Sequence, residues 1–352
     1  MTFHVEYPRV QPEQRPDGHQ PAAPRWTLRF EQPVTAVVSD YLAVQGRELS
    51  WEQQRGFFDR ARASFGGEDG PGAHETMRFT DDEGYVNAVL VAYWTEPERH
   101  ARWQRDSSFS AWFAEDTRTA EDVGYWRETL VVPYDRQETI YSDPEYRIGL
   151  ARCEGSVVAS TTTNGYFGAA RDRLPISAVE SLDGAMPVLR RDVAVDNFAG
   201  RRVRALTPLN LTTIRSGQFW HDADAEQTQD YEDSLQPKLM EGMAYLSEHD
   251  EETSTLSLRI MTNLDEDGRE RQETSVYAAF ASLELLERWA ASHQTHLKIF
   301  GHAIEAKKRW GDDRQVVTWH EVFVLLPGAG FEYVNCHPQT GLLPYCPLVE
   351  VV

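Results

Sequence analysis

The chain has 352 residues, of which 41% are hydrophobic and 26% charged, a composition typical of a globular protein with a substantial core. Its 35 lysines and arginines are outnumbered by 56 aspartates and glutamates, and the formal net charge of -21 argues against a nucleic-acid partner. No stretch approaches the roughly 20 apolar residues that span a bilayer, and the N-terminus lacks a secretory pattern, so we expect a cytoplasmic protein without a membrane partner.

The first half of the chain is predicted to begin with an extended arm. Residues 1–25 are rich in proline and polar side chains, which disfavours packed structure. A buried strand is predicted over Val34–Val44, a helix capped by serine over Ser50–Ser64 and a strand over Gly84–Trp94. A helix with proline in its first turn follows and carries Trp103.

The second half repeats the mixture of strands and helices. Its predicted elements are an acidic amphipathic helix over Asp224–His249, a hairpin of Thr255–Leu264 with Arg271–Phe280, a helix over Ser282–Ala291 that carries Trp289, and strands over His296–Ala306 and Val316–Leu325. Ala92–Trp103 and Ala279–Trp289 are similar, which suggests an internal repeat. We therefore predict an α+β fold of two modules, about 26–150 and 151–352, with helices on one face of the sheets.

Two histidines, His293 and His296, form an H-x-x-H pair. On a helix this spacing places both side chains on one face, as a pair of metal ligands requires. No third Cys, His or Glu has a zinc-like spacing from them. A metal or axial ligand and a capping or solvent-facing pair both remain open on this evidence.

Ser216 and His320 are candidates for nucleophilic or acid–base chemistry. Ser216 precedes a glycine but lacks the G-x-S-x-G elbow of hydrolases, so a simple turn is the alternative. His320 lies in a predicted strand, on the face opposite Trp319, where a hydrogen-bonded core histidine is the alternative. A Ser216/His320 hydrolase would also need a carboxylate to orient the imidazole.

Arg171 and Arg173 follow a stretch of small residues at Gly165–Ala170. A buried arginine needs an anion, which a carboxylate of a cofactor or an oxygen of a substrate could supply. An exposed salt bridge is the alternative.

Six segments together resemble the bacterial haem-containing aldoxime dehydratases, in order and in spacing, from about Pro24 to about Leu342. They are DYLAVQ (40–45), GYFGAARDRLPIS (165–177), IRSGQFW (214–220), LERWAASHQTHLKIF (286–300), WHEV (319–322) and FEYVNCHPQTG (331–341). Phe167, Ala169–Ala170 and Trp319 depart from that family's pattern. We expect these positions to line the pocket, which leaves the preferred substrate size open.

The resemblance implies a function and a set of site residues. His296 is the implied proximal ligand of a non-covalently bound haem b that is ferrous when active. Ser216, His320 and Arg173 are implied to surround the substrate, and Glu138 is implied on a thinner local match. The implied reaction dehydrates small aldoximes, R-CH=N-OH, to nitriles at the open sixth position of the iron.

The resemblance also implies a fold and leaves rivals. The fold is two ferredoxin-like modules forming a dimeric α/β barrel-like domain with a haem pocket, in a homodimer. The rivals are a haem peroxidase or chlorite-dismutase-like enzyme on a related barrel, and a non-catalytic haem carrier or gas sensor, whose distal pocket needs no acid–base pair.

Overall fold

Strands dominate the described part of the chain. The structure, a computed structural model, describes residues 2–184 and 198–351. The predicted second module includes residues 185–197, which lie outside the described residues. The strands are β1 (Arg25–Phe30), β2 (Ala36–Gly46), β3 (Ala73–Thr80), β4 (Val86–Trp94), β5 (Gly124–Pro133), β6 (Gln137–Tyr141), β7 (Ser156–Thr161), β8 (Arg202–Leu206), β9 (Thr212–Phe219), β10 (Thr255–Leu264), β11 (Glu270–Phe280), β12 (Val317–Val324), β13 (Gly330–Val334) and β14 (Leu348–Glu350).

The helices lie between these strands. They are α1 (Trp51–Ala63), α2 (Pro97–Asp106), α3 (Ser108–Ala114), α4 (Ala169–Arg173), α5 (Ala225–Asp230), α6 (Gln236–Glu248), α7 (Asp250–Thr253), α8 (Leu283–Ser292) and α9 (Gln294–Trp310). Within the described residues, no helix is both long enough and apolar enough to cross a membrane.

All fourteen strands of the described chain belong to one antiparallel sheet, in the order β14-β8-β13-β5-β2-β4-β3-β10-β11-β9-β12-β6-β1-β7. Two β-α-β-β-α-β units stand at its centre, β2 to β5 and β9 to β12, and they meet where β3 pairs with β10. Each unit is extended by strands from the other half of the chain. β13, β8 and β14 continue from β5, whereas β6, β1 and β7 continue from β12.

The sheet is strongly curled around one core. The ring centroids of Tyr41 on β2 and Tyr277 on β11 are 5.2 Å apart, although four strand spacings in a flat sheet would separate them by about 19 Å. The guanidinium of Arg259 on β10 likewise lies 4.2 Å from the ring centroid of Trp126 on β5. One face of the sheet therefore surrounds a closed interior, and the other face points outward.

The helices pack on the outward face of both units. Helices α1 to α3 cover the first unit, and α6, α8 and α9 cover the second. Trp103 and Trp289 are buried in corresponding helices. When the units are aligned on these tryptophans, Leu90 on β4 corresponds to Val276 on β11, and both point outward under the helices.

Most of the predicted elements are confirmed. Ser50 caps α1 with a capping box, since its Oγ accepts from Gln53 N at 3.2 Å and Gln53 Oε1 accepts from Ser50 N at 2.9 Å. The predicted hairpin is β10 paired with β11. The predicted helix over Asp224–His249 is present, but a π-helical turn at Tyr231–Leu235 separates α5 from α6.

One predicted element is wrong. His296–Ala306 was predicted as a strand, but these residues lie inside helix α9. The apolar run Leu297–Phe300 does not distinguish a buried strand from a helix. The N-cap residue His293 and the basic last turn Lys307–Arg309 favour the helix, because they satisfy its first amide and its macrodipole.

Candidate functional site

Ser216 and His320 are direct partners across neighbouring strands. The register of β9 with β12 places Ser216 opposite His320, so both side chains leave the same, outward face of the sheet. The His320 side chain is 28% exposed, which leaves it accessible from the space under the helices. The sequence prediction that Trp319 points to the opposite face is confirmed, since Trp319 packs in the interior core.

A buried carboxylate joins His320 to an arginine. The Glu138 side chain, on β6, is fully buried, and its Oε1 lies 3.0 Å from His320 Nε2. Its other oxygen, Oε2, accepts from Arg173 Nε at 2.6 Å. Arg173 NH2 also lies 3.2 Å from His320 Nε2. The three groups predicted from separate parts of the chain therefore form one cluster.

The charge of this cluster is balanced. Burial acts to raise the pKa of the Glu138 carboxyl, but the charges and hydrogen bonds of Arg173 and His320 outweigh it and lower that pKa below its ordinary value. Glu138 is therefore an ionised acceptor at neutral pH. As such it can accept a hydrogen bond from His320 Nε2 and orient the His320 ring.

Arg173 reaches this cluster from the short helix α4. Its NH1 also donates to the carbonyl oxygen of Thr163 at 2.7 Å, so the whole guanidinium is held in place. Arg171 from the same helix turns away and pairs with Glu287 of α8 at 2.7 Å. Of the two arginines proposed from the sequence, only Arg173 belongs to the site, while Arg171 attaches α4 to the helical layer.

His296 presents an imidazole from the first turn of α9, across from the sheet. Burial is the main cause that lowers the pKa of His296 and the charge of His320 adds to it, although a hydrogen bond donated to the Ala290 backbone acts to raise it. The imidazole is therefore neutral at pH 7. Its buried Nδ1 has no hydrogen-bond partner in the described chain, and the ring packs edge-on against Trp289 at 4.9 Å.

His293 does not share this position. It is the N-cap residue of α9, where its ring stacks on Tyr245 at 3.7 Å and its Nδ1 lies 2.8 Å from Thr295 Oγ1. The H-x-x-H pair therefore consists of a capping residue and a residue facing the site. No group of three His, Cys, Asp or Glu side chains suited to a metal ion occurs among residues 2–184 and 198–351.

The sheet face under His296 changes from apolar to polar across the row that contains Ser216 and His320. The neighbouring row on one side is largely apolar (Ala278, Ile214, Val322), and the row on the other side is polar (Thr274, Gln218, Thr318). A porphyrin has an apolar body and charged carboxylates at one edge, so this gradient fits it. A single neutral, buried imidazole also suits a haem iron, because the porphyrin nitrogens supply its other ligands.

Gln218 was missed by the sequence analysis. It lies two residues after Ser216 on the same face, and its buried Oε1 has no partner in the described chain. The sequence could have indicated Gln218, because alternation along a strand places residues i and i+2, here Ser216 and Gln218, on one face. Gln218 extends the polar edge of the site.

The expectation that all family departures line the pocket is wrong for Trp319. Its ring lies in the interior enclosed by the curled sheet, over Arg215 and 4.9 Å from the guanidinium, and touches Gly217 from the inner side. Phe167 does lie near the site, with its ring centroid 6.5 Å from that of His296 and 5.2 Å from that of Phe300. Phe167 is therefore the departure that contacts a predicted site residue.

Comparison with known proteins identifies the family of this chain. The model of the haem-containing dehydratase family matches residues 41–342, and the chain belongs to that family. An aliphatic aldoxime dehydratase of Pseudomonas chlororaphis is 34% identical over 345 residues, which is 97% of each chain. A phenylacetaldoxime dehydratase of a Bacillus species is 29% identical over 96% of this chain and 95% of its own.

A solved structure of an aldoxime dehydratase is also similar to this chain. The crystal structure of an aldoxime dehydratase in complex with butyraldoxime matches with a TM-score of 0.88 at 30% identity, covering 97% of this chain and 94% of that chain. The mixed α/β fold is therefore that of the aldoxime dehydratases, and haem is the cofactor of the family.

The two histidines at the start of α9 should differ in their effect on haem. We expect His296→Ala to abolish haem binding, because within the described residues it removes the one imidazole that faces the site from the helical layer. The matched control, His293→Ala, should retain haem and lose only a helix cap. Haem per chain in the purified variants, measured from the Soret band and a pyridine haemochrome assay, tests this. Equal haem content in the two variants would contradict the assignment.

Proposed function

We propose that this protein dehydrates aldoximes to nitriles at a non-covalently bound haem b that is ferrous when active, with His296 as the axial iron ligand. The observation that carries the proposal is the Ser216, His320, Glu138 and Arg173 cluster on the sheet face across from His296. A haem carrier needs no such acid–base group. Family membership and the aldoxime dehydratase relatives support the same reaction.

The cofactor and the side chains have separate roles in the proposed reaction. A ferrous haem held by His296 would supply electron density that weakens the N-O bond of the oxime. Ser216 is placed to hydrogen-bond the oxime hydroxyl and fix its direction. His320, protonated at the start, gives a proton to that hydroxyl as the N-O bond breaks, and water leaves.

The same imidazole completes the reaction. Once neutral, His320 removes the proton from the oxime carbon, which leaves the C≡N bond and restores the protonated ring. Because Nε2 lies against Glu138 and Arg173, Nδ1 is the nitrogen that we assign to the proton transfers. Protons balance over the cycle, and the products are a nitrile and water.

We assign positioning roles to Glu138 and Arg173. Glu138 holds the His320 ring in a fixed orientation by one of its oxygens. Arg173 fixes the other oxygen and keeps the carboxylate ionised inside the protein. Without Arg173, a fully buried Glu138 would favour its neutral form.

We also propose the finer features of the fold and assembly. The β-α-β-β-α-β order, with each unit's strands in the sheet order 4-1-3-2, supports two ferredoxin-like modules, near 26–150 and 151–352, behind an arm of residues 1–25. The curled sheet supports a barrel-like domain of the dimeric α/β barrel kind. We propose a cytoplasmic homodimer, and the three buried cysteine thiols are consistent with a reducing compartment.

The proposal predicts nitrile formation without an oxidant. Haem-loaded protein reduced with dithionite under nitrogen should convert butyraldoxime or phenylacetaldoxime to the nitrile, as measured by gas chromatography. The same protein in its ferric state is the control and should be nearly inactive. Turnover that requires peroxide or chlorite, or no nitrile from any aldoxime at full haem content, would overturn the proposal.

Loss of the acid–base group should separate catalysis from cofactor binding. We expect His320→Ala to retain the haem spectrum but to lose at least about 10²-fold in kcat, the usual range for a positioned proton donor. His249→Ala serves as the control and should keep its activity, because His249 is an exposed histidine that does not belong to the cluster around His320. Full activity in His320→Ala would rule out the proton-transfer assignment.

Arg173 should control the pH dependence through Glu138. Its removal leaves burial as the main influence on Glu138, so the pKa of that carboxyl should rise, and the acid limb of kcat/KM should move to higher pH. We expect Arg173→Ala to lose about 10 to 100-fold in rate as well. Arg171→Ala, which breaks a pair with Glu287 instead, should leave the acid limb in place. An unmoved limb in Arg173→Ala would contradict this role.

A further inference from the structure

Arg173 is carried by a segment that has little regular structure of its own. Helix α4 has only five residues, and an isolated helix of that length is unstable in water. The segment also supplies the Thr163 carbonyl that accepts from Arg173 NH1 at 2.7 Å. Something outside residues 162–173 must therefore hold this wall of the site in position.

Besides the Arg171–Glu287 pair, the N-terminal arm holds this segment. Arg15 NH2 donates to the Thr162 carbonyl at 2.6 Å, and His19 Nε2 lies 2.8 Å from the Asn164 carbonyl oxygen. These two contacts flank Thr163, whose carbonyl binds Arg173. Further along, the backbone amides of Val10 and Gln11 donate to the Ala178 carbonyl at 2.8 and 2.9 Å.

Asp172 is the residue of α4 on which the arm converges. Its side chain is fully buried, and it accepts from the Gln14 backbone amide at 3.0 and 3.1 Å and from Tyr166 Oη at 2.8 Å. Arg9 NH1 lies 3.9 Å from its Oδ1. Asp172 is adjacent to Arg173 in the chain, so any shift of its carboxylate moves the backbone that carries the site arginine.

The arm approaches α4 so closely at position 168 that a residue with a side chain there would collide with it. Gly168, the N-cap residue of α4, has φ of +92°, and a Cβ placed on it would lie 2.5 Å from Gln14 Cβ. A side chain at position 168 would strain the backbone and push Gln14 away. The glycine therefore permits the contact that brings the Gln14 amide to Asp172.

We propose that arm residues 9–19 act as a clasp on the wall of the site, and that Asp172 is a positioning residue that acts through Arg173. The proposal rests on the proposed function, since it assigns the arm to the geometry of the Arg173–Glu138–His320 cluster. The exposed arm thereby becomes part of the catalytic apparatus without touching the substrate.

A double-mutant cycle tests whether Asp172 acts through Arg173. In the wild-type background we expect Asp172→Ala to lower kcat about tenfold, as for other outer-shell partners, with an unchanged haem spectrum. In the Arg173→Ala background the same change should cost less than about twofold, because the residue on which it acts is gone. Equal losses in both backgrounds would overturn the proposal.

Three further variants separate positioning from folding. Asp172→Asn keeps an oxygen that can accept from the Gln14 amide, so it should recover most of kcat. Gly168→Ala should resemble Asp172→Ala, and Glu52→Gln, which alters an exposed residue outside the arm, should match the wild type. An Asp172→Asn enzyme as impaired as Asp172→Ala would count against the arm contact.

Hydrogen exchange gives a readout independent of turnover. Peptides covering residues 162–173 should exchange faster in haem-loaded Asp172→Ala than in the wild type, while peptides of β9 and β12 should not change. Unchanged exchange in 162–173 would overturn the clasp. Absence of nitrile from the wild-type protein, by contrast, would overturn the proposed function.

Discussion

The site depends on one buried ion pair, that of Glu138 with Arg173. A carboxylate with no exposed surface is costly unless charged donors meet both of its oxygens, and here Arg173 meets one and His320 the other. The pair also fixes the relation of strand β6 to α4, which no backbone ladder joins. His320 is thereby oriented by Glu138, whose ion pair with Arg173 is strong because both of these side chains are shielded from water.

A second constraint is the alternation of side chains along β9 and β12. Ser216 and His320 face the helices, whereas their neighbours Arg215 and Glu321 face the interior of the curled sheet. Burial raises the pKa of Glu321 to about 7, opposed by the nearby charge of Arg215. A shift of one residue in register would bring Arg215 and Glu321 to the face under the helices and turn Ser216 and His320 into the interior. The interior network therefore makes the register of β9 and β12 costly to change.

The sequence was most informative where local physical rules suffice. The Ser50 cap and the alternation around His320 were predictable, because each depends on residues within a few positions. The helix that contains His296 was wrongly predicted as a strand, since its apolar run fits both the strand period and the helix period. The contact of Glu138 with His320 was beyond pattern analysis, because 182 positions separate them and their meeting depends on β6 pairing with β12. For these residues the family resemblance gave the roles, and the tertiary structure gave the geometry.

The two units of the sheet show why only one of them has such a site. With the units aligned on their tryptophans, Arg127 stands in the first unit where His320 stands in the second, and Ser110 stands where His296 does. In the first unit these two side chains approach each other, with Arg127 NH1 3.5 Å from Ser110 Oγ, and Asp40 binds the same guanidinium. A buried arginine must keep its carboxylate in contact, so the space between sheet and helices is filled there. In the second unit histidines stand at both positions, and His320 contacts Glu138 and Arg173 rather than a residue of the helical layer.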